Sequence, residues 1–250
     1  MIKINRCACP PELTLEVQQN KTDQFKADGS IVWNEQYIKD GLLSMSHGKC
    51  CYCECDVTIE SNYVEVEHFH HKDQYKDEVV SWDNLLPSCK KCNATKHDHD
   101  TIAEPIVNPC MDNPQEHMKI VNIVRFRGKT DKGRTTVTTL NLNDQDRHCK
   151  PRFEVVSMIT AKLEEQKTKL DEIIETPPKT RAKANHIRNA INDLLELCQE
   201  DKPYSAVKLT ALLNDDYYQE ISKWLKENGY WTGDMTILES NILHHKYDTR

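Results

Sequence analysis

The sequence predicts an α+β protein with a small metal-binding core, a β-hairpin extension and a helical C-terminal region. Three observations indicate this class. Cysteine and histidine concentrate between residues 47 and 100, β-branched stretches follow at 119–142, and helix-forming residues dominate beyond Phe153. We therefore expect three segments: an N-terminal arm and helix (1–46), a core with its hairpin (47–150) and a helical region (151–250).

The composition argues against membrane spans and against binding through bulk charge. Of 250 residues 38% are hydrophobic, and no run approaches the roughly 18 uncharged apolar residues that a bilayer span needs. No apolar stretch follows the charges of residues 1–6, so no signal peptide is visible and a cytoplasmic protein is expected. The net charge of −7 disfavours nucleic-acid binding without a local basic patch.

Local patterns predict the remaining elements. Pro10 and Pro11 favour an extended arm. Apolar side chains recur at helical spacing over 33–45, which predicts an amphipathic helix ending near Gly48, and loose alternation over 57–66 predicts a strand. Proline at 177 and 178 separates the first two of three C-terminal helices, predicted at 158–176, 179–199 and 206–227.

Residues 119–142 predict a basic β-hairpin, because β-branched stretches flank a turn with two glycines at 128–133. Segment 119–152 has nine basic and three acidic residues, a net charge of +6, whereas 49–100 has six lysines and eleven acidic residues, a net charge of −5. The hairpin thus predicts weakly specific, salt-sensitive phosphate binding, with a solvated hairpin as the alternative. The predicted contacts are Arg125, Arg127, Lys129, Lys132 and Arg134.

Two C-x-x-C pairs, with 35 residues between them, predict a structural zinc site. Each pair presents two thiolates to one side of a tetrahedral ion, and two pairs close the coordination shell. The predicted ligands are Cys50, Cys53, Cys89 and Cys92. Cys51 and Cys55 offer other spacings, and the regular two-residue spacing favours the four named. Eleven cysteines in a long chain without an export signal otherwise indicate metal binding rather than disulfides.

The segment that joins the two pairs carries a recognisable order of residues. Glu67-His68 is followed by Asn84 with two leucines, and the second pair continues as Cys92-Asn93, with Lys96 three residues on. In order and spacing this resembles the HNH endonucleases. The resemblance implies a ββα-metal nuclease core that hydrolyses phosphodiester bonds, with DNA as the expected substrate and RNA as the alternative.

The resemblance also implies a role for each residue. His68 is implied as the general base, Glu67 and Asn93 as ligands of a catalytic Mg²⁺ or Mn²⁺, and Asn84 as a support for the base. Their chemistry agrees, since imidazole titrates near neutral pH and hard cations prefer oxygen ligands. Because the last HNH position can be histidine, a ligand role for His97 stays open, as do the roles of His70, His71 and His99.

A narrower resemblance extends over roughly residues 47–150. Motifs at 66–69, 82–89, 106–109, 112–114 and 140–143 are similar to the HNH effectors of Septu and retron-associated anti-phage systems. That similarity implies a PtuA-like ABC/SMC-type ATPase partner, and the helical region beyond 150 is the candidate docking surface.

Two other functions remain open at this point. One is a non-catalytic zinc-knuckle adaptor that binds nucleic acid or a protein. Such an adaptor needs no base beside two oxygen ligands, so replacing His68 by alanine would abolish a nuclease and leave an adaptor functional. Thiol redox chemistry through Cys7 and Cys9, or through Cys51 and Cys55, lacks the βαβ context of thioredoxin-like sites.

Overall fold

The computed structural model describes residues 1–59, 63–175 and 181–249. The chain forms two compact units. Unit one comprises Met1–Met118 and Arg127–Leu142, and unit two comprises Lys119–Phe126 and Asn143–Arg250. The three segments predicted from the sequence, 1–46, 47–150 and 151–250, stay a prediction. Within the described ranges, no helix is both long and apolar enough to cross a bilayer.

Unit one begins with two helices. Helix α1 (Leu15–Asp28) was not predicted from the sequence. It is largely polar, and Thr14 caps its first turn by accepting from the Val17 amide. Helix α2 (Gln36–Ser46) agrees with the predicted amphipathic helix, and it buries Ile38 and Leu42. The remaining helices of unit one are α3 (Lys90–Lys96), α4 (Pro114–His117) and α5 (Asp131–Thr139).

A two-stranded antiparallel sheet forms the centre of unit one. Strand β1 (Val64–His68) pairs with β2 (Leu85–Cys89) so that Val66 lies opposite Pro87, and α3 follows β2 directly. Helix α2 packs against both strands. Strand β1 begins later than the predicted 57–66, because Asp56 accepts from the amide and hydroxyl of Thr58 in a local turn that competes with extended backbone.

The predicted hairpin is wrong in its second half. Strands β3 (Met118–Val121) and β4 (Arg125–Gly128) form a two-stranded sheet, so the turn lies at 122–124 and residues 131–139 are helix α5. Thr130 caps α5 by accepting from the Gly133 amide, and the Thr136 hydroxyl donates to the Lys132 carbonyl within the helix. The cap outweighs the strand preference of the threonines.

Unit two is mainly helical, as predicted. Its helices are α6 (Lys150–Glu175), α7 (Arg181–Leu197), α8 (Ser205–Asn214), α9 (Asp216–Glu227) and α10 (Gly233–Leu243). The segment 206–227, predicted as one helix, is two, because Asp215 is extended and caps α9. Pro177 and Pro178 lie outside the described residues. The mixed class of helices and small sheets is therefore confirmed.

Candidate active site and metal centre

The four predicted cysteines form a buried cluster. The Sγ atoms of Cys50, Cys53, Cys89 and Cys92 all lie within 4.8 Å of one another, and Cys53 Sγ is 3.8 Å from Cys89 Sγ. A tetrahedron with Zn–S bonds of about 2.3 Å has edges of about 3.8 Å. This donor set and its spacing fit a metal ion such as zinc.

Backbone hydrogen bonds hold the two cysteine turns together. The Cys50 amide donates to the Cys55 carbonyl, and the Cys51 amide donates to the Pro87 carbonyl of β2. Cys89 precedes α3, and its side-chain Sγ accepts from the Cys92 amide at 3.4 Å. The other two cysteines of the first turn are not part of the four-sulfur group: Cys51 is buried with its thiol pKa well above normal through desolvation, and Cys55 is partly exposed beside it.

A cleft of 590 Å³ opens next to this centre. It lies between β1, α3 and the segment after β1. Three of the four residues predicted for catalysis, Glu67, His68 and Asn93, line it together. The fourth, Asn84, is not among the lining residues.

His68 is held by contacts on two sides. Its Nε2 lies 2.8 Å from the Val79 carbonyl oxygen, and its ring meets the Trp33 indole edge-on, with centroids 4.7 Å apart. Since a carbonyl only accepts, Nε2 carries the proton and Nδ1 is the basic nitrogen of the neutral ring. Burial lowers the pKa of His68 to about 4, so the imidazole is neutral at pH 7.

Asn84 supports the segment that holds His68. Its Oδ1 accepts from the His70 amide at 2.7 Å, and its Nδ2 donates to the carbonyls of His70 and Glu78 at 3.0 and 3.2 Å. Glu78 immediately precedes Val79, the partner of His68 Nε2. The amide therefore acts on the base through the backbone.

Glu67 is buried and bonded through one oxygen. Its Oε1 is 2.8 Å from Lys96 Nζ and accepts from the Tyr52 hydroxyl at 3.2 Å, and no donor among the described residues contacts Oε2. Burial raises the pKa of Glu67, which the Lys96 ammonium opposes. Asn93 donates through Nδ2 to Glu65 at 2.8 Å, so its carbonyl oxygen keeps its acceptor capacity. These oxygens are hard donors that fit Mg²⁺ or Mn²⁺.

The other histidines divide between the cleft and its surroundings. His71 and His97 line the cleft, and His97 is largely exposed and paired with Asp98 at 2.7 Å. His70 is 2.7 Å from Glu78, and His99 contacts the Glu104 carbonyl. Neither His70 nor His99 is among the lining residues.

Sequence reasoning missed four residues of this site. Glu65, Trp33, Tyr52 and Lys96 all contact a predicted catalytic side chain. Two of them carried a local signal in the sequence. Lys96 belongs to the motif that resembles HNH endonucleases, and Tyr52 lies within the first C-x-x-C pair. Trp33 carried none, because it comes from the segment between α1 and α2.

The predicted basic ribbon does not form on one hairpin. Arg125 and Arg127 are exposed on β4, whereas Lys132 and Arg134 lie on α5. Lys132 pairs with Asp112 at 2.9 Å, and Arg134 pairs with Asp131. Lys129 donates to the Gln115 carbonyl at 3.1 Å. Contact of these five residues with nucleic acid stays a prediction. The single hairpin from which it was inferred does not carry all five.

Comparisons with known proteins give two relatives, while no protein-family model matches the chain. The chain is 39% identical to the Septu protein PtuB of Bacillus thuringiensis over 246 residues, which cover 96% of this chain and 93% of that protein. It is 27% identical to the Septu protein PtuB of Bacillus mycoides (strain KBAB4) over 190 residues, covering 58% of this chain and 64% of that protein.

Proposed function

Because the chain belongs to the Septu PtuB family, we propose that it is a metal-dependent HNH endonuclease and an effector of anti-phage defence. The observation that carries the proposal is the cleft in which Glu67, His68 and Asn93 meet. The chain order β1, β2 and α3, with β1 and α3 lining the cleft, supports the proposed ββα-metal core. The four-cysteine centre would hold structural zinc and keep the two ends of this core together.

The proposed chemistry follows from the contacts of His68. With Nε2 occupied by the Val79 carbonyl, Nδ1 is the atom that takes the proton from water as the water oxygen attacks phosphorus. The bond from phosphorus to the leaving oxygen then breaks. Glu67 and Asn93 would hold Mg²⁺ or Mn²⁺, and the bound ion would supply positive charge to the phosphate and to the leaving oxygen.

Nucleic acid, with DNA as the expected form, would enter the cleft along its lysines. Lys72 and Lys90 line the cleft, and the Lys72 ammonium lies 5.8 Å from the centre of the Trp33 ring. These two cations line the same cleft as the proposed base, His68. The net charge of −7 supports a partner that shares substrate binding.

The proposed partner is a PtuA-like ABC/SMC-type ATPase. The proteins that this chain is similar to are named as Septu proteins, and the helical region after residue 150 is the proposed docking surface. Exposed apolar side chains on that region support this assignment, among them Phe153, Met158 and Ile237.

The test compares wild type, His68→Ala and the control His186→Ala on plasmid DNA and on RNA. Each protein is assayed with Mg²⁺ or Mn²⁺, with and without the ATPase, after zinc content is measured. We expect wild type and His186→Ala to cut and zinc-replete His68→Ala to lose at least about 100-fold in rate. Equal cutting by all three proteins would remove His68 from the mechanism. Absence of cutting on both substrates in every condition would favour the zinc-knuckle adaptor.

A further inference from the structure

Two side chains of different origin donate to the same oxygen of Glu67. Tyr52 donates through its hydroxyl at 3.2 Å and Lys96 through its ammonium at 2.8 Å, both to Oε1. Lys96 also donates to the His68 carbonyl at 2.8 Å, so it fixes the backbone of the next residue as well. All three side chains are buried, with Tyr52 fully so and Lys96 and Glu67 each only 2% exposed.

Both donors lie on segments that carry cysteines of the four-cysteine centre. Tyr52 lies within the first C-x-x-C turn, next to Cys53. Lys96 is the last residue of α3, the helix that contains Cys92 and begins after Cys89. A metal ion held by the four thiolates would therefore set the positions of both donors relative to β1, which carries Glu67.

We propose that Tyr52 and Lys96 are positioning residues that hold Glu67 by Oε1 and so leave Oε2 to a divalent cation in the cleft. Through them the four-cysteine centre would control the geometry of a carboxylate outside its own ligand set. The inference rests on the proposed nuclease function, since it assigns how that function's metal ligand is oriented.

The energetics support a role beyond packing. Burial of an ammonium, a carboxylate and a phenol together costs desolvation free energy that apolar side chains of similar volume would avoid. Carboxylates that bind metals are themselves hydrogen-bonded by outer partners, and loss of such a partner reduces metal affinity about 10- to 100-fold. Tyr52 and Lys96 have the placement of such partners.

The experiment measures Mn²⁺ binding to the full-length chain by electron paramagnetic resonance, together with zinc content and the Mn²⁺ dependence of cutting. The variants are Tyr52→Phe and Lys96→Met. The matched control is Tyr218→Phe, which removes another buried tyrosine hydroxyl bonded to a glutamate, Glu239, at 2.7 Å in unit two. We expect Tyr52→Phe and Lys96→Met to weaken Mn²⁺ binding about 10-fold or more with zinc retained, and Tyr218→Phe to match wild type.

A second expectation separates positioning from general damage. Tyr52→Phe should raise the Mn²⁺ concentration for half-maximal cutting by a similar factor, while kcat at saturating Mn²⁺ stays near wild type. Wild-type Mn²⁺ affinity in zinc-loaded Tyr52→Phe or Lys96→Met would overturn the proposal. Loss of zinc by Tyr52→Phe would also overturn it, because the hydroxyl would then stabilise the four-cysteine centre and not the orientation of Glu67. If the wild-type chain neither binds Mn²⁺ nor cuts, the proposed function fails too; if it does both and the variants match it, only the positioning role fails.

Discussion

The hydrogen bonds of individual side chains decide which atoms of this site are available for chemistry. Nε2 of His68 donates to the Val79 carbonyl, and Oε1 of Glu67 accepts from Tyr52 and Lys96. Nδ1 and Oε2 are left as the base and the ligand atom of the proposed reaction. Asn84 acts one step further away, through the backbone that carries Val79.

The first residue-scale prediction concerns Asn84→Ala. This substitution removes three hydrogen bonds that join His70 and Glu78 to the residue before β2, which should lower the local opening free energy of 70–78 by about 1–3 kcal/mol. Hydrogen exchange of the amides in 70–79 measures this change. Asn189→Ala, which loses only an exposed contact with Arg188, should leave the same amides unchanged. Unaltered exchange in Asn84→Ala would contradict a supporting role.

The second residue-scale prediction concerns Gln166 on α6. Its side chain is fully buried, and among the described residues neither Nε2 nor Oε1 has a hydrogen-bond partner. A buried unsatisfied polar group costs about 1–3 kcal/mol, so Gln166→Leu should raise the free energy of unfolding by about that amount. Urea denaturation followed by circular dichroism measures it. A lower unfolding free energy would indicate a buried water that bonds the amide.

At the scale of elements, capping side chains determine where helices begin. Thr130 starts α5 within a segment whose threonines favour strands, and Asp215 divides 206–227 into α8 and α9. The caps are local, yet the helix that each one starts depends on the packing of the residues that follow. Strand propensity alone therefore gave the wrong element at 131–139.

The element-scale prediction is that Asp215→Ala destabilises α9. Asp215 accepts from the amides of Tyr217 and Tyr218 at 2.9 and 3.3 Å, and loss of such a cap costs about 1 kcal/mol. Asp215→Asn should retain most of the stability, because asparagine caps about as well. Thermal unfolding measures both variants, and an unchanged midpoint for Asp215→Ala would show that the cap contributes nothing.

At the scale of the molecule, the four-cysteine centre ties together parts of unit one that are distant in sequence. Its four sulfur atoms come from the turn at 50–53 and from the junction of β2 and α3. Unit two has its own helical core, which includes Ile159, Leu163, Ile191 and Leu209. The two units should therefore respond differently to removal of a metal.

The corresponding prediction is that a chelator which removes zinc makes residues 47–100 sensitive to protease, while the helices of unit two stay protected. The reason is that a metal ion bound to the four thiolates would contribute directly to the folding free energy of unit one. Limited proteolysis with mass spectrometry, after the zinc content of the untreated protein is measured, locates the cuts. Protection of 47–100 without metal would contradict this, and Cys92→Ser should reproduce the chelator's effect.

The sequence by itself determined the features that depend on local spacing. The clustering of Cys50, Cys53, Cys89 and Cys92 and the helical character of unit two follow from C-x-x-C spacing and helical periodicity, and the structure shows both. The motif also supplied Glu67, His68 and Asn93, which the fold brings to one cleft, although their catalytic roles remain proposals.

Only the tertiary structure decided the partners of those residues and the boundaries of the two units. Trp33 lies 35 residues before His68, and Lys96 lies 29 residues after Glu67, so no local pattern predicts that they touch. The helix at 131–139 was likewise settled by bonds such as that from the Val107 amide to the Thr136 hydroxyl. Spacing and periodicity act within a few residues, whereas hydrogen bonds between distant segments form only when the whole unit folds.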